Sequence, residues 1–98
     1  MNRKHEVILQ LLSTERRWWY GLQLIEASEG CLKRGYIYLD LFALEDEDWV
    51  ESCEETDEEF QPVYPDQQKR RRYRITERGI REFEEWQLRS ANALPELA

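Results

Sequence analysis

The sequence predicts an α+β fold that is mainly helical, with three helices, a two-stranded hairpin and a closing helix. Three observations carry this. Apolar residues recur at helical spacing in three separate segments before residue 48. The run Lys69-Arg-Arg-Arg-Tyr-Arg-Ile-Thr-Glu-Arg-Gly79 joins an alternating basic strand directly to a capped helix. With 98 residues, 41% of them apolar, the chain makes one small domain, near the lower size at which a hydrophobic core suffices without staples.

The first helix follows from Val7, Ile8, Leu11 and Leu12, which share one helical face over residues 3–13. Residues 13–17 break that pattern. Trp18, Leu22 and Ile25 then repeat at i, i+4 and i+7, widened by Tyr20 and Leu24, and Gly30 ends a second helix. After the Lys33-Arg34-Gly35 turn, Ile37, Leu41 and Leu44 mark a third helix to about Glu47, whose other face shows Tyr36, Asp40 and Ala43. Residues 49–53 alternate as a short half-buried strand, and residues 70–75 are its partner. In the second strand a period of two turns Arg70, Arg72 and Arg74 outward and lets Tyr73 and Ile75 face a core. The connection 54–68, with Pro62 and Pro65, exceeds a tight hairpin, so part of it is either extra strand or a mobile loop. Thr76 caps the final helix, whose apolar side is Ile80, Phe83 and Trp86 and which reaches about Ser90. The domain is therefore placed at 1–90, with a flexible tail at 91–98. That order of elements is the layout of a winged helix-turn-helix.

The net charge of −7 opposes a simple polyanion binder until its distribution is considered. Residues 1–36 carry six Lys/Arg and four Asp/Glu, residues 37–67 none and twelve, and residues 68–98 eight and five. All the excess acidity lies in one central block between two mildly basic segments. No apolar run approaches the ~20 residues a bilayer span needs, and the N-terminus leads into an amphipathic pattern, so a cytoplasmic protein without membrane association is expected. Cys31 and Cys53 are expected as reduced thiols, and the lone His5 leaves no metal site. No Gly-rich phosphate loop and no nucleophile beside a base are present, so neither an enzyme nor a cofactor is expected.

The residues also carry a resemblance. Gly35-Tyr-Ile-Tyr-Leu-Asp-Leu-Phe-Ala-Leu-Glu-Asp-Glu-Asp-Trp-Val50 resembles the third helix and following strand of PadR-type transcriptional regulators, whose pattern is Gly-Thr-Leu-Tyr-x-x-Leu-x-x-Leu-Glu-x-x-Gly-Leu-Val. Gly35, Tyr38, Leu41, Leu44, Glu45 and Val50 match in register. Tyr73-Arg-Ile-Thr-Glu-Arg-Gly79 is similar to the family's Tyr-x-Leu-Thr-x-x-Gly after the wing, and Tyr20-Gly-Leu-Gln-Leu-Ile25 to its His-Gly-Tyr-x-Leu opening of the second helix. Together these cover residue 5 to about residue 90. The resemblance implies a dimeric DNA-binding repressor, paired through its first and last helices, in the small subgroup with a single C-terminal helix. Val7, Ile8, Leu11, Phe83 and Trp86 are then candidates for the dimer interface; the plain alternative for Trp86 is a place in the protomer's own core. Family analogy adds a planar aromatic effector held against tryptophans at that interface.

In a winged helix the third helix enters the major groove and its N-terminal residues meet bases and phosphates. Candidates for double-stranded DNA are Lys33, Arg34, Tyr36 and Asp40 on that helix, with Leu39 and Ala43 beside them, and Lys69, Arg70, Arg71 and Arg72 on the wing. Asp40 suits a cytosine amine but repels phosphate. The bland readings are a solvated turn for Lys33 and Arg34, a partial core place for Tyr36, and a solvated face for the arginine run. The acidic block Glu54-Glu55-Thr56-Asp57-Glu58-Glu59 lies on the same hairpin. It must fold back, or neutralise the arginines in the absence of DNA, or serve only for solubility. The alternative function is a protein-interaction module whose acidic face, residues 45–59, docks a basic partner.

Overall fold

In a computed structural model that describes residues 1–93, Asn2 opens the first helix by accepting the His5 backbone N–H at 2.8 Å. This helix, α1, spans Arg3–Thr14 and buries Ile8, Leu9 and Leu12, with Val7 and Leu11 half-buried. Leu9 lies outside the expected stripe because α1 is central and is packed by the other helices and the sheet on several sides. The next segment departs from expectation. Trp19–Tyr20 is a strand, β1, and the second helix, α2, is only Gly21–Ala27. Trp19 is buried in place of Trp18, and Leu24 in place of Leu22. The apolar spacing of Trp18, Leu22 and Ile25 spans a strand-to-helix junction, where the side-chain direction resets.

Ser28 then turns the chain. Its hydroxyl donates to the Ile25 carbonyl at 2.7 Å and accepts the Leu32 N–H at 3.0 Å, seating Leu32 in the core. The third helix, α3, spans Ile37–Asp46 and buries Ile37, Leu41 and Leu44 as expected. Asp48 follows at φ 63, the left-handed conformation that a glycine would adopt freely, and it stands where the family pattern has glycine. The turn delivers the chain into β2, Val50–Glu54, which pairs antiparallel with β3, Arg71–Ile75, from Val50 opposite Ile75 to Glu54 opposite Arg71. On the other edge of β3, Trp19 pairs with Tyr73 and Tyr20 with Arg72. The sheet thus has three strands in the order β1-β3-β2, where the sequence had indicated two. A two-residue strand is too short to display a period. The long connection adds no strand; Thr56 and Glu59 close one local turn and Val63 and Gln67 another.

The closing helix, α4, spans Glu77–Ala93, three residues past its expected end; residues 94–98, most of the expected tail, lie outside the described residues. Thr76 fixes its start: the hydroxyl accepts the Gly79 N–H at 3.0 Å and donates to the Asp48 carbonyl. Gly79 sits so close to the α3–β2 corner that a Cβ would lie 2.1 Å from the Trp49 carbonyl oxygen. Two expected interface residues are corrected here. Ile8 and Phe83 are 0% and 2% exposed in a single protomer, so they belong to its core. Val7, Leu11 and Trp86 only pack against that core from outside.

Gly79→Ala is expected to lower stability by about 2–3 kcal/mol, because a rigid backbone oxygen must move, although alanine favours a helix. Gly35→Ala, with nothing within 4 Å of the added carbon, is the control and is expected to change little. Urea denaturation of both variants checks this.

Candidate nucleic-acid interface

The period of β3 divides its cations between two faces. Arg70, Arg72 and Arg74 fall on the side of β1 and its preceding tryptophan: the Arg70 guanidinium lies 4.0 Å from the Tyr20 ring centroid, and Arg74 and Arg72 lie 4.4 and 5.8 Å from that of Trp18. Lys69 and Arg71 fall on the side of α3. There they line an open cleft of about 620 Å³ together with Arg34, Tyr38, Tyr73 and Gly21, and Tyr20 and Arg70 also contribute to its wall. Gly21 is small for a reason, since a Cβ would lie 2.8 Å from the Tyr38 hydroxyl.

Each of these five wing cations already has a carboxylate on its own hairpin. Lys69 pairs with Asp57, Arg74 with Glu51, Arg72 with Glu59 at 2.6 Å and Arg70 with Glu55 at 2.9 Å, while Arg71 reaches Glu54 at 3.9 Å. Arg71 also donates to the Ser52 hydroxyl at 3.0 Å, and Ser52 donates to Glu45 on α3 at 2.5 Å. The acidic block therefore folds onto the arginines. Glu55 is different in kind from the rest. It is 5% exposed, and its carboxylate accepts the Tyr20 hydroxyl at 3.0 Å, the Arg70 backbone N–H at 3.0 Å, and the Arg70 Nε and Nη2 at 3.1 and 2.9 Å. Those donors, led by the backbone N–H, hold the Glu55 carboxyl below its usual range against the opposing cost of burial. Burial, reinforced by the bond to Glu55, pushes the Tyr20 phenol up. Lys69 lowers Asp57, and hydrogen bonds from Thr56, with Arg72 nearby, lower Glu59.

The sequence candidates separate accordingly. Among the described residues Lys33 and Arg34 are exposed and form no ion pair, in front of α3. Tyr36 is exposed beneath the Lys4 ammonium, 4.9 Å from its ring centroid. Asp40 does not point outward: it is half-buried and held against α1 by His5 Nε2 at 3.1 Å. Arg70 is committed to Glu55. Three exposed residues of α3 were not among the proposed contacts or were only named beside them: Tyr38, Leu39 and Phe42. Their signal was the excess of apolar residues in α3, interrupted only by Asp40 before Glu45, which leaves apolar residues over once one face is buried.

No protein-family model matches the chain, and no curated protein matches it. Solved structures do. A PadR family transcription regulator from hypervirulent Clostridium difficile superposes with a TM-score of 0.68 at 22% identity, over 92% of this chain and 93% of that one. Bacillus subtilis PadR, solved in complex with operator DNA, superposes with a TM-score of 0.75 at 21% identity over 100% of this chain, which spans about half, 53%, of that protein. A PadR-like transcriptional regulator from Bacillus cereus gives a TM-score of 0.60 at 23% identity over 90% of this chain and 84% of that one. The fold is the winged helix of PadR-type regulators.

The lowered carboxyls make the hairpin acid-sensitive. A carboxylate held below its unfolded pKa contributes stability that is complete above that pKa, ordinarily 4.5 for Glu55 and Glu59 and 3.8 for Asp57, and is lost as pH falls through the lower folded value. Thermal unfolding from neutral pH downward is expected to hold its midpoint until about the ordinary glutamate value and then to fall. Glu55→Gln is expected to lower the midpoint by several degrees at neutral pH and to flatten that acid limb.

Proposed function

We propose that this chain is a homodimeric transcription regulator of the PadR type that binds double-stranded DNA and represses. The observation that carries the reading is the arrangement of α3: Lys33 and Arg34, without an ion pair among the described residues, stand at its exposed N-terminal end, and Arg71 faces it across the cleft from the wing. A helix N-terminus with its own cations, flanked by a basic strand, is the electrostatic form of a major-groove reader. The likeness to a PadR solved on operator DNA supports the same use of the fold. Lys33 and Arg34 serve as phosphate contacts, with the Tyr36 hydroxyl as a donor beside them.

On the wing, magnitudes decide which cations are available. The side chains of Asp57, Glu54, Glu51 and Glu59 are 93, 60, 44 and 39% exposed, and pairs of that kind are worth about 0–1 kcal/mol each, so a DNA phosphate can replace them. The Glu55 side chain, only 4% exposed and with four donors, stays with Arg70. Arg72, whose own side chain is 17% exposed and also held by Cys53 and Trp18, is less free, so the exchangeable set is Lys69, Arg71 and Arg74. Dimerisation falls to the half-buried Val7, Leu11 and Trp86 of α1 and α4, joined by the exposed Leu88. Any small aromatic effector would meet the tryptophan at that seam.

A second reading rests on the same pairing. With its wing neutralised in cis and its net charge at −7, the chain offers a basic protein partner the exposed Glu47 and Asp48 ahead of β2 and the exposed Glu58 beyond it.

Fluorescence anisotropy on a generic duplex separates the two. Binding at low salt that weakens steeply with salt is expected, with Lys33→Ala and Arg34→Ala each reducing the log–log slope by roughly one unit. Replacing Glu51, Glu54, Asp57 and Glu59 by their amides, with Glu55 retained, is expected to tighten binding and steepen the slope. Absence of binding at low salt, even in that variant, leaves the protein-partner reading. Sedimentation is expected to give a dimer that Trp86→Ala weakens and Leu88→Asp disrupts.

A further inference from the structure

The outward face of α3 is apolar where a base-reading helix ordinarily carries hydrogen-bonding side chains. Leu39 and Phe42 are 69% and 71% exposed and stand one turn apart at the middle of that face. Tyr38 lies to the wing side of them, packed on Gly21, and Tyr36 to the α1 side beneath Lys4. No Arg, Lys, Asn or Gln occurs anywhere within Ile37–Asp46. Bidentate recognition of guanine by Arg or Lys, or of adenine by Asn or Gln, therefore has no donor in the body of this helix. Its one central carboxylate, Asp40, is turned to His5.

Resting on the reading of the chain as a DNA binder, we infer that α3 identifies its target through the C5-methyl groups of thymine, with Leu39 and Phe42 as the specificity-determining residues. Among base edges in the major groove the thymine methyl is the apolar one, and it accepts an aliphatic or aromatic side chain without an unmet hydrogen bond. The charge pattern along the helix sets the direction of approach. Lys33 and Arg34 precede it, whereas Asp46 ends it and Glu47 and Asp48 follow. Phosphates are attracted at the N-terminal end and repelled at the other, so the first two turns enter the groove and the C-terminus leaves it. Leu39 and Phe42 lie within those turns. A large exposed apolar pair of this kind costs solubility unless a binding partner covers it, and a methyl-lined groove flanked by phosphates complements both the apolar pair and the cations ahead of it.

The test begins with duplexes enriched by the full chain from a randomised pool, which are expected to carry thymines at fixed positions. Each enriched duplex is then synthesised with deoxyuridine for thymidine at those positions, which removes only the methyl groups. Affinity is expected to fall about three- to fourfold per methyl contacted, or roughly tenfold for two, from the transfer free energy of one buried carbon. The double variant L39A/F42A, altered only at exposed positions, is expected to bind the thymine and uracil duplexes equally. Equal affinity of the unaltered chain for both duplexes overturns the inference while leaving DNA binding intact. A preference for thymine that survives in L39A/F42A also overturns it, since the uracil effect is then one of duplex shape. Failure to bind any duplex at low salt removes the DNA reading and this inference with it.

Discussion

The Glu55 carboxylate is the constraint on which the wing depends. It gathers the Tyr20 hydroxyl from the end of β1 and the backbone and guanidinium of Arg70 from the foot of β3. One nearly buried charge thus ties the strand that precedes α2 to the hairpin that follows α3. Burying a carboxylate is costly unless its oxygens are fully engaged, and here four donors engage them. The bond also continues the ladder: the Glu55 N–H donates to the Arg70 carbonyl at 2.9 Å, one step beyond the Glu54–Arg71 pair. The cleft between wing and α3 keeps its shape because this corner cannot open without stranding a charge.

The parts of the fold that were legible in the sequence are those where a period runs long enough to be seen. Ile37, Leu41 and Leu44 define α3, and the alternation of Arg72, Tyr73, Arg74 and Ile75 defines β3. The Thr76 cap and Gly79 marked the start of α4, and both are engaged at the α3–β2 corner. What escaped was short or tertiary. Trp19–Tyr20 holds two residues, so Trp18 was read as a helical residue when it is a platform beneath Arg72 and Arg74. Ile8 and Phe83 read equally well as core and as interface, since periodicity identifies an apolar face and says nothing of which surface covers it.

The site was legible in composition but not in partnership. Counting charges located both the arginine run and the acidic block, yet the pairing of Arg72 with Glu59 or Lys69 with Asp57 depends on how the connection folds back. Glu55 and Glu58 are near neighbours in an acidic string, and one is buried while the other is exposed. Asp40 shows the same limit. On a helical wheel it borders the outward face; its hydrogen bond to His5 on α1 turns it aside.

The cis pairing of the wing has a kinetic consequence. An array of neutralised pairs has a field that decays far faster than that of free charges, so at physiological ionic strength it contributes little beyond a Debye length of about 8 Å. A polyanion approaching this face is not steered from a distance by the wing arginines, which leaves Lys33, Arg34 and Lys4, without carboxylate partners among the described residues, to act at range. Encounter is then governed by orientation and contact, with association rates near the unsteered range of about 10⁵–10⁶ M⁻¹s⁻¹. If the proposed exchange of carboxylate for phosphate takes place after contact, residence time becomes the quantity that discriminates one surface from another.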